Sequence, residues 1–160
     1  MLGSVFLLSL MVLLSSPRPV HGQSYVGTAH AVLDGDTMRL LLETGQIVRI
    51  ELYGVDAPER GQPYGEAAAR AVRRAVFRTE VEAVAEGAGP DGRNVFVVRT
   101  DDQVLNERLL REGLAWWDRN QAPRNDRYRR LEQEARTEER GLWAQSDPVP
   151  PWRWREGDRP

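Results

Sequence analysis

The apolar residues change their spacing partway along this chain, and that change limits the folds it can adopt. Val48, Ile50 and Leu52 recur at every second position, which is the pattern of a β-strand with one buried face. Over residues 68–76 the apolar residues recur every three or four positions, as they do on one face of an amphipathic helix. We therefore expect strands and helices in one domain of the α+β class.

The strand signals fall into two groups. Turn residues at 34–36 and 43–46 divide the stretch from residue 25 to residue 55, which predicts a three-stranded antiparallel meander. Two more short strands are expected near residues 81–85 and 95–98, on either side of a glycine-rich loop. Closing about five such strands into a small barrel would hide their edges economically.

Two further helices are expected after the strands. One carries Leu105 and Leu109 and ends at Gly113, and the other covers about residues 125–140. The tail from residue 146 contains three closely spaced prolines and is predicted to be irregular. A chain of 160 residues has room for one ordinary domain, which we assign to residues 23–145, followed by a tail at residues 146–160.

The N-terminus carries a short apolar run at residues 5–14, followed by small residues around positions 20–22. This run is too short to span a bilayer comfortably, and the pattern indicates a secretory signal peptide over residues 1–22. An uncleaved membrane anchor is the alternative. The expected location is periplasmic or secreted, with no stable membrane partner after cleavage.

The composition removes several kinds of active site. The chain has no cysteine and no lysine, and its two histidines are His21 and His30. Thiol nucleophiles, disulfide frameworks, cysteine zinc sites and Schiff-base lysines are therefore excluded. The formal net charge of -2 provides no long-range attraction to nucleic acid. Any acid–base chemistry falls to carboxylates and arginines.

Acidic residues are concentrated where the backbone is expected to turn. Asp34 and Asp36 lie in one tight turn, and Asp56 and Glu59 follow the third strand of the meander. Carboxylate and carbonyl oxygens on turns suit a hard cation such as Ca2+. The alternative is that Asp-Gly and Asp-Ala-Pro are ordinary turn formers whose side chains cap local backbone. Two such turns on neighbouring strands favour the metal site.

These residues belong to a longer series of motifs. The runs VLDGDTMRL, YGVDAPERGQPYGEAAAR, DGR, LNERLLREGLAWW and RGLW, spread over residues 26–143, resemble the staphylococcal nuclease (thermonuclease-like) family. The resemblance implies a five-stranded OB-fold β-barrel with three α-helices. It also implies a calcium-dependent phosphodiesterase that cuts single-stranded or flexible DNA and RNA, expected here as a monomer.

The same resemblance implies a role for each matching residue. Asp36 and Asp56 would bind Ca2+ directly, together with the carbonyl of Ala57. Asp34 and Thr37 would support these ligands from outside the ion's coordination sphere. The remaining roles are that Glu59 positions or activates the attacking water and that Arg93 stabilises charge on the phosphorus centre and leaving group. Apart from the resemblance, at least one of Trp116 and Trp117 is expected in the core, and Trp117 is the candidate for stacking on a base.

One position departs from the family pattern in a way that bears on activity. The family has a second catalytic arginine five residues before the metal-binding aspartate, and Glu51 occupies that place here. Arg49 lies on the same strand face, about 6.6 Å away, and can span that gap only in part. Losing a positioned charge stabiliser commonly costs about 100- to 1000-fold in rate. After Trp117, Asp118 and Gln121 stand where the family has tyrosines.

Two hypotheses follow. The first is an exported, calcium-dependent nuclease of reduced activity, based on the acidic set with Arg93. The second is a degenerate member that binds nucleic acid or a protein partner without efficient catalysis, based on Glu51 with Asp118 and Gln121.

Overall fold

The computed structural model describes residues 21–89 and 91–159. The predicted signal peptide therefore lies, except for its last two residues, outside the described residues. The strands are β1 (Ser24–Val32), β2 (Thr37–Leu42), β3 (Ile47–Glu51), β4 (Val55–Asp56), β5 (Glu80–Ala88), β6 (Asn94–Arg99) and β7 (Trp116–Trp117). The helices are α1 (Gly65–Val76), α2 (Leu105–Arg111), α3 (Asp126–Thr137) and α4 (Pro151–Arg155), with a 3-10 helix at Gly141–Ala144.

Five strands form one antiparallel sheet in the order β3-β2-β1-β5-β6. The meander expected from residues 25–55 is confirmed as β1, β2 and β3, and its second hairpin turns at Gly45 with a φ of 83°. In the β2–β3 register Met38 faces Ile50 and Thr37 faces Glu51. The short strands β4 and β7 form a separate pair, which holds Asp56 opposite Trp116.

The predicted closed barrel is corrected to an open five-stranded sheet. Its two edges, β3 and β6, come together just past the end of β3, at the bridge between Leu52 and Phe96 and the hydrogen bond from the Tyr53 N–H to the Phe96 carbonyl at 2.7 Å. The fully buried side chain of Asn106 on α2 occupies the space beyond that bridge. Its amide donates to the carbonyls of Tyr53 and Phe96 at 2.9 and 3.0 Å, and its oxygen accepts the Val98 N–H at 3.0 Å. A side chain thus satisfies backbone groups that a continuous ladder would otherwise pair.

The helices pack their apolar faces on the sheet as the spacing predicted. On α1 the residues Ala68, Ala71 and Val72 are fully buried, whereas the arginines of the same helix face solvent. Helix α3 begins after Asn125, whose side chain accepts the Tyr128 N–H at 3.0 Å and caps the helix. The buried residues Met38, Ile50, Phe96 and Leu109 belong to one core between the sheet and these helices.

The tail is not irregular throughout, and the expected set of three α-helices is corrected to four. Pro151 stands in the first turn of α4, where a helix does not use its N–H groups, so the prolines start this helix. The buried Pro151 and an edge-on contact of Trp152 with Trp116, at 6.4 Å between ring centroids, hold α4 on the domain. Within residues 21–89 and 91–159, no helix is long and apolar enough to cross a membrane.

Candidate active site

The turn between β1 and β2 is organised by Asp34. Its carboxylate accepts the backbone N–H groups of Asp36 and Thr37 at 3.1 and 2.7 Å, which is the usual way an aspartate stabilises a tight turn. A Cβ atom on Gly35 would lie 2.6 Å from the Cβ atoms of Ala57 and Ala68. The absence of a side chain at Gly35 therefore lets this turn pack closely against both the loop after β4 and helix α1.

Asp36 connects the two acidic turns. Its carboxylate accepts the Ala57 N–H at 2.7 Å and the Thr37 hydroxyl at 3.1 Å. The Asp36 carbonyl also accepts the N–H of Leu52 at 2.9 Å. These contacts bring Asp34, Asp36, Thr37 and Ala57 together, as the sequence predicted, and they place Asp36 beside the strand that carries Asp56.

Glu59 lies on the loop between β4 and α1, and the start of the helix fixes this loop. The Glu59 N–H donates to the side-chain oxygen of the buried Gln62 at 2.9 Å. A Cβ atom on Gly65 would lie 2.1 Å from the Glu59 carbonyl oxygen. Glycine at position 65 is therefore required for the close approach of this loop to the first turn of α1.

A single pocket of about 280 Å3 collects these acidic residues. Among the described residues it is lined by seven carboxylates and three guanidinium groups, together with uncharged side chains. The carboxylates are those of Asp34, Asp36, Glu51, Asp56, Glu59, Asp91 and Asp118, and the guanidinium groups are those of Arg49, Arg93 and Arg155.

Burial and neighbouring negative charges raise the pKa of three carboxyl groups in the pocket. Burial and the neighbouring charge of Asp34 hold the pKa of Asp36 well above its ordinary value. Burial also raises the pKa of Asp56, although hydrogen bonds from Arg155 offset part of that effect. The pKa of Glu51 is raised by burial and by Asp91, while Arg49 and Arg93 act in the opposite direction. These carboxylates would be stabilised by additional positive charge.

The donor atoms at the base of the pocket fit a hard divalent cation. Carboxylate and carbonyl oxygens are the ligands that Ca2+ takes in irregular geometries, and Asp36, Asp56 and the Ala57 carbonyl would supply them. Across the described residues, no three acidic or histidine side chains converge as a ready-made metal site. A cation held here would therefore have the carboxylates of Asp36 and Asp56 as its charged ligands.

Arg155, which was not predicted as a site residue, also lines the pocket. Arg155, at the end of α4, donates to both oxygens of Asp56 at 3.2 and 2.8 Å and to Glu59 at 2.6 Å. These partners hold the pKa of the Arg155 guanidinium above its ordinary value. The Trp-Arg pattern of the tail was visible in the sequence, but nothing in it indicated which of its arginines reaches the acidic turns.

The two cations that were predicted, Arg93 and Arg49, also line the pocket and are exposed. Arg93 is exposed and forms an ion pair with Asp91, whose carboxylate also accepts the Arg93 N–H at 2.9 Å. Arg49 is exposed and lines the same pocket as Glu51, as expected for two residues on one face of β3.

The side chains of Trp117, Asp118 and Gln121 form hydrogen bonds with the backbone. Only 8% of Trp117 is exposed, and its ring N–H donates to the Ala122 carbonyl at 3.0 Å. Trp117 therefore lies in the core, outside the acidic pocket, and a role in stacking on a base has no support from its position. Gln121 accepts the Gly54 N–H at 2.8 Å, and Asp118 accepts the Asn120 N–H at 2.8 Å.

The sequence of this chain is similar to those of several known proteins. The family model described as staphylococcal nuclease homologue matches residues 49–145. A protein of Shigella flexneri named micrococcal nuclease is 32% identical, with 83% of this chain and 82% of that protein covered. An uncharacterized endonuclease of Escherichia coli O157:H7 is 34% identical over 91% of this chain and 94% of its own length. A rice protein named probable staphylococcal-like nuclease is 33% identical over 69% of this chain and 30% of that protein.

Proposed function

Because this chain belongs to the staphylococcal nuclease family, we propose that it is a calcium-dependent phosphodiesterase, an endonuclease that hydrolyses single-stranded or flexible DNA and RNA. Membership of the family supports nuclease activity. The dependence on calcium, the choice of substrate and the effect of Glu51 are the parts that we propose here.

One observation carries this proposal. Asp36, Asp56 and Glu59 come from two different turns, yet they line one pocket together with Arg93. The contact between Asp36 and the Ala57 N–H, and that between Gln62 and the Glu59 N–H, hold these turns in place. Carboxylates for an ion, a carboxylate for water and an arginine for phosphate are the groups that metal-assisted phosphodiester hydrolysis requires.

Each residue can be given one chemical task. A calcium ion held by Asp36, Asp56 and the Ala57 carbonyl would supply positive charge beside the phosphate. Glu59 would accept a proton from the attacking water, since it lies at the pocket wall and is partly accessible. Arg93 would stabilise the negative charge that develops on the phosphorus centre and the leaving oxygen.

The decisive experiment is to incubate purified residues 23–160 with a single-stranded DNA and a single-stranded RNA, first with Ca2+ and then with a chelator. We expect cleavage that requires calcium. The variant Glu59→Gln is the matched control, because it keeps the size of the side chain and removes its ability to accept a proton. Absence of calcium-dependent cleavage at protein concentrations equal to that of the DNA would refute the proposal.

A second candidate function is a binding module without efficient catalysis. Glu51 favours this candidate, because it lines the phosphate-binding pocket with a negative charge where the family has a positive one. Calcium binding and oligonucleotide binding in the absence of cleavage would support the module.

We also propose that the protein is exported, with residues 1–22 removed, and that it acts as a monomer in the periplasm or outside the cell. The apolar run at residues 5–14 and the small residues near position 22 support export. Mass spectrometry of the exported protein would give its N-terminus, and a mature chain that still begins at Met1 would contradict removal. Light scattering on the same sample would test the monomer.

A further inference from the structure

The end of the tail delivers a positive charge to the acidic pocket. Arg155 contacts Asp56 through two nitrogen atoms and Glu59 through one of them. Its guanidinium therefore lies between the expected metal ligand and the expected base. Any phosphate that reached both of these groups would come close to Arg155.

The tail is attached to the same loop that carries Glu59. Gln62 accepts the Glu59 N–H through its oxygen and donates through its nitrogen to the Val149 carbonyl at 2.6 Å. One buried side chain thus joins the loop to the residues just before α4. Together with the buried Pro151 and the contact of Trp152 with Trp116, this link sets the position from which Arg155 extends.

The pocket has few positive charges available for an anionic substrate. Its seven carboxylates outnumber its three guanidinium groups among the described residues. Arg93 is paired with Asp91, Arg49 is exposed at the rim, and position 51 contributes a negative charge. Arg155 is the third cation of the pocket; it pairs with Asp56 and Glu59, and half of its side chain is exposed to solvent.

We propose that Arg155 is a phosphate-binding residue of this active site, and that it supplies from the tail the positive charge that position 51 lacks. Before substrate binds, it pairs with Asp56 and Glu59. Asp56 would hold a divalent cation if one were bound, and the planar N–H groups of Arg155, extended from α4, would then be placed to hold two oxygens of the phosphate. Arg155 lies beyond residues 49–145, which the family model matches. The inference rests on the proposed phosphodiesterase function.

The test compares Arg155→Gln with the matched control Arg153→Gln in the full chain. Arg153 lies in the same helix and pairs with Asp158 at the surface, outside the pocket, so its loss removes the same charge without touching the site. Three quantities are measured: calcium affinity by calorimetry, binding of a cleavage-resistant phosphorothioate oligonucleotide by fluorescence anisotropy, and kcat/KM for single-stranded DNA. Circular dichroism confirms that both variants are folded.

For Arg155→Gln we expect calcium to bind about 10-fold more tightly, because a competing cation has left Asp56. We expect the oligonucleotide to bind about 10-fold more weakly and kcat/KM to fall about 100-fold, as happens when a positioned charge stabiliser is lost. Arg155→Lys should retain part of the binding, since it keeps the charge and loses the planar fork. Arg153→Gln should match the unchanged protein.

Several results would overturn the inference. Faster cleavage by Arg155→Gln would mean that the tail blocks the site. Unchanged oligonucleotide binding would mean that Arg155 does not touch phosphate, and unchanged calcium affinity would mean that Arg155 and calcium do not compete for Asp56. If the unchanged protein cleaves nothing, the phosphodiesterase proposal fails. The oligonucleotide measurement still decides the role of Arg155, which stands if Arg155→Gln weakens binding and falls if it does not.

Discussion

Replacing Glu51 by arginine tests how the pocket balances its charges. Glu51 ends β3, faces Thr37 in the neighbouring strand and lines the acidic pocket together with Arg49. Burial raises the pKa of Glu51, so its ionised form is already unfavourable in the folded protein. Glu51→Arg removes this charge and restores the cation that the family resemblance places at position 51.

The expected gain can be divided into two steps, with Glu51→Gln as the intermediate. The Glu51 carboxylate and a phosphate charge about 7 Å from it would repel each other by about 2.4 kcal/mol at an effective dielectric constant of 20. Glu51 is half-exposed, and solvent screening reduces this to about 1 kcal/mol, or roughly a 5-fold gain in rate for Glu51→Gln. Glu51→Arg should reach about 10-fold, because in our proposal Arg155 supplies part of the missing charge.

The double variant tests whether Glu51→Arg acts through the role of Arg155 or only through the change in net charge. In an Arg155→Gln background the same Glu51→Arg change should gain about 100-fold, which is the lower end of the value of a positioned charge stabiliser. The difference between the two backgrounds is a factor of about 10, a coupling of about 1.4 kcal/mol between positions 51 and 155.

The assay is the initial rate of cleavage of a single-stranded oligonucleotide in Ca2+, with kcat/KM determined for each variant. Glu43→Arg is the control, because it makes the same change in net charge at an exposed hairpin turn outside the pocket. If Glu51→Arg gains no more than Glu43→Arg, position 51 does not limit the rate. Equal gains in both backgrounds would show that Arg155 and position 51 act independently.

Three further substitutions test how the fold supports the site. Asp36→Asn should raise the melting temperature in chelator at pH 7 by about 2 °C or more, the effect of about 1 kcal/mol in a domain of this size. Burial raises the pKa of Asp36 in the folded state, so the unchanged protein loses stability as the pH rises through that pKa. The gain in melting temperature from Asp36→Asn should therefore vanish below about pH 3.9, where the Asp36 carboxyl is protonated in both states. A lower melting temperature of Asp36→Asn at pH 7 would contradict the argument. Gly65→Ala should push the Glu59 loop away, cost about 1–3 kcal/mol in urea unfolding and reduce kcat, whereas an unchanged kcat would show that the loop tolerates the shift. Asn106→Leu should cost about 1–3 kcal/mol, since it removes the partner of the buried Val98 N–H while the Phe96 carbonyl keeps the Tyr53 N–H, and no measurable loss would mean that the Val98 N–H finds another partner.

The elements that could be predicted from the sequence are those whose signal is local. Apolar residues at every second position predicted the meander, and apolar residues every three or four positions predicted the three longer helices. Each spacing reflects one element that turns one face to the core. The acidic residues could be grouped because Asp36 and Asp56 were expected at turns beside neighbouring strands; in the structure Asp56 lies in the short strand β4, and the contact of Asp36 with the Ala57 N–H brings the two together. The family resemblance supplied their roles.

The errors concern contacts between residues distant in sequence. Closure of the barrel depends on what fills the gap between β3 and β6, and there the amide of Asn106 takes the place of a ladder. The prolines of the tail indicate irregular structure when they are considered alone, but Pro151 also suits the first turn of a helix. The contacts of Arg155 with Asp56 and Glu59 span 99 and 96 residues, and no pattern within the tail encodes them.

The domain boundary predicted at residue 145 leaves Arg155 outside the domain, although Arg155 lines the acidic pocket. Folding brings seven carboxylates to one place, which is unfavourable unless cations accompany them. A cation fixed on the strands would offset that repulsion but would also compete permanently with a metal ion at Asp56. A long side chain at the end of a docked helix can pair with the same carboxylates without being fixed to the strands, while Pro151 and Trp152 hold the helix on the domain. If Arg155 binds phosphate as we propose, the tail belongs to the site, because its helix places the guanidinium beside Asp56 and Glu59.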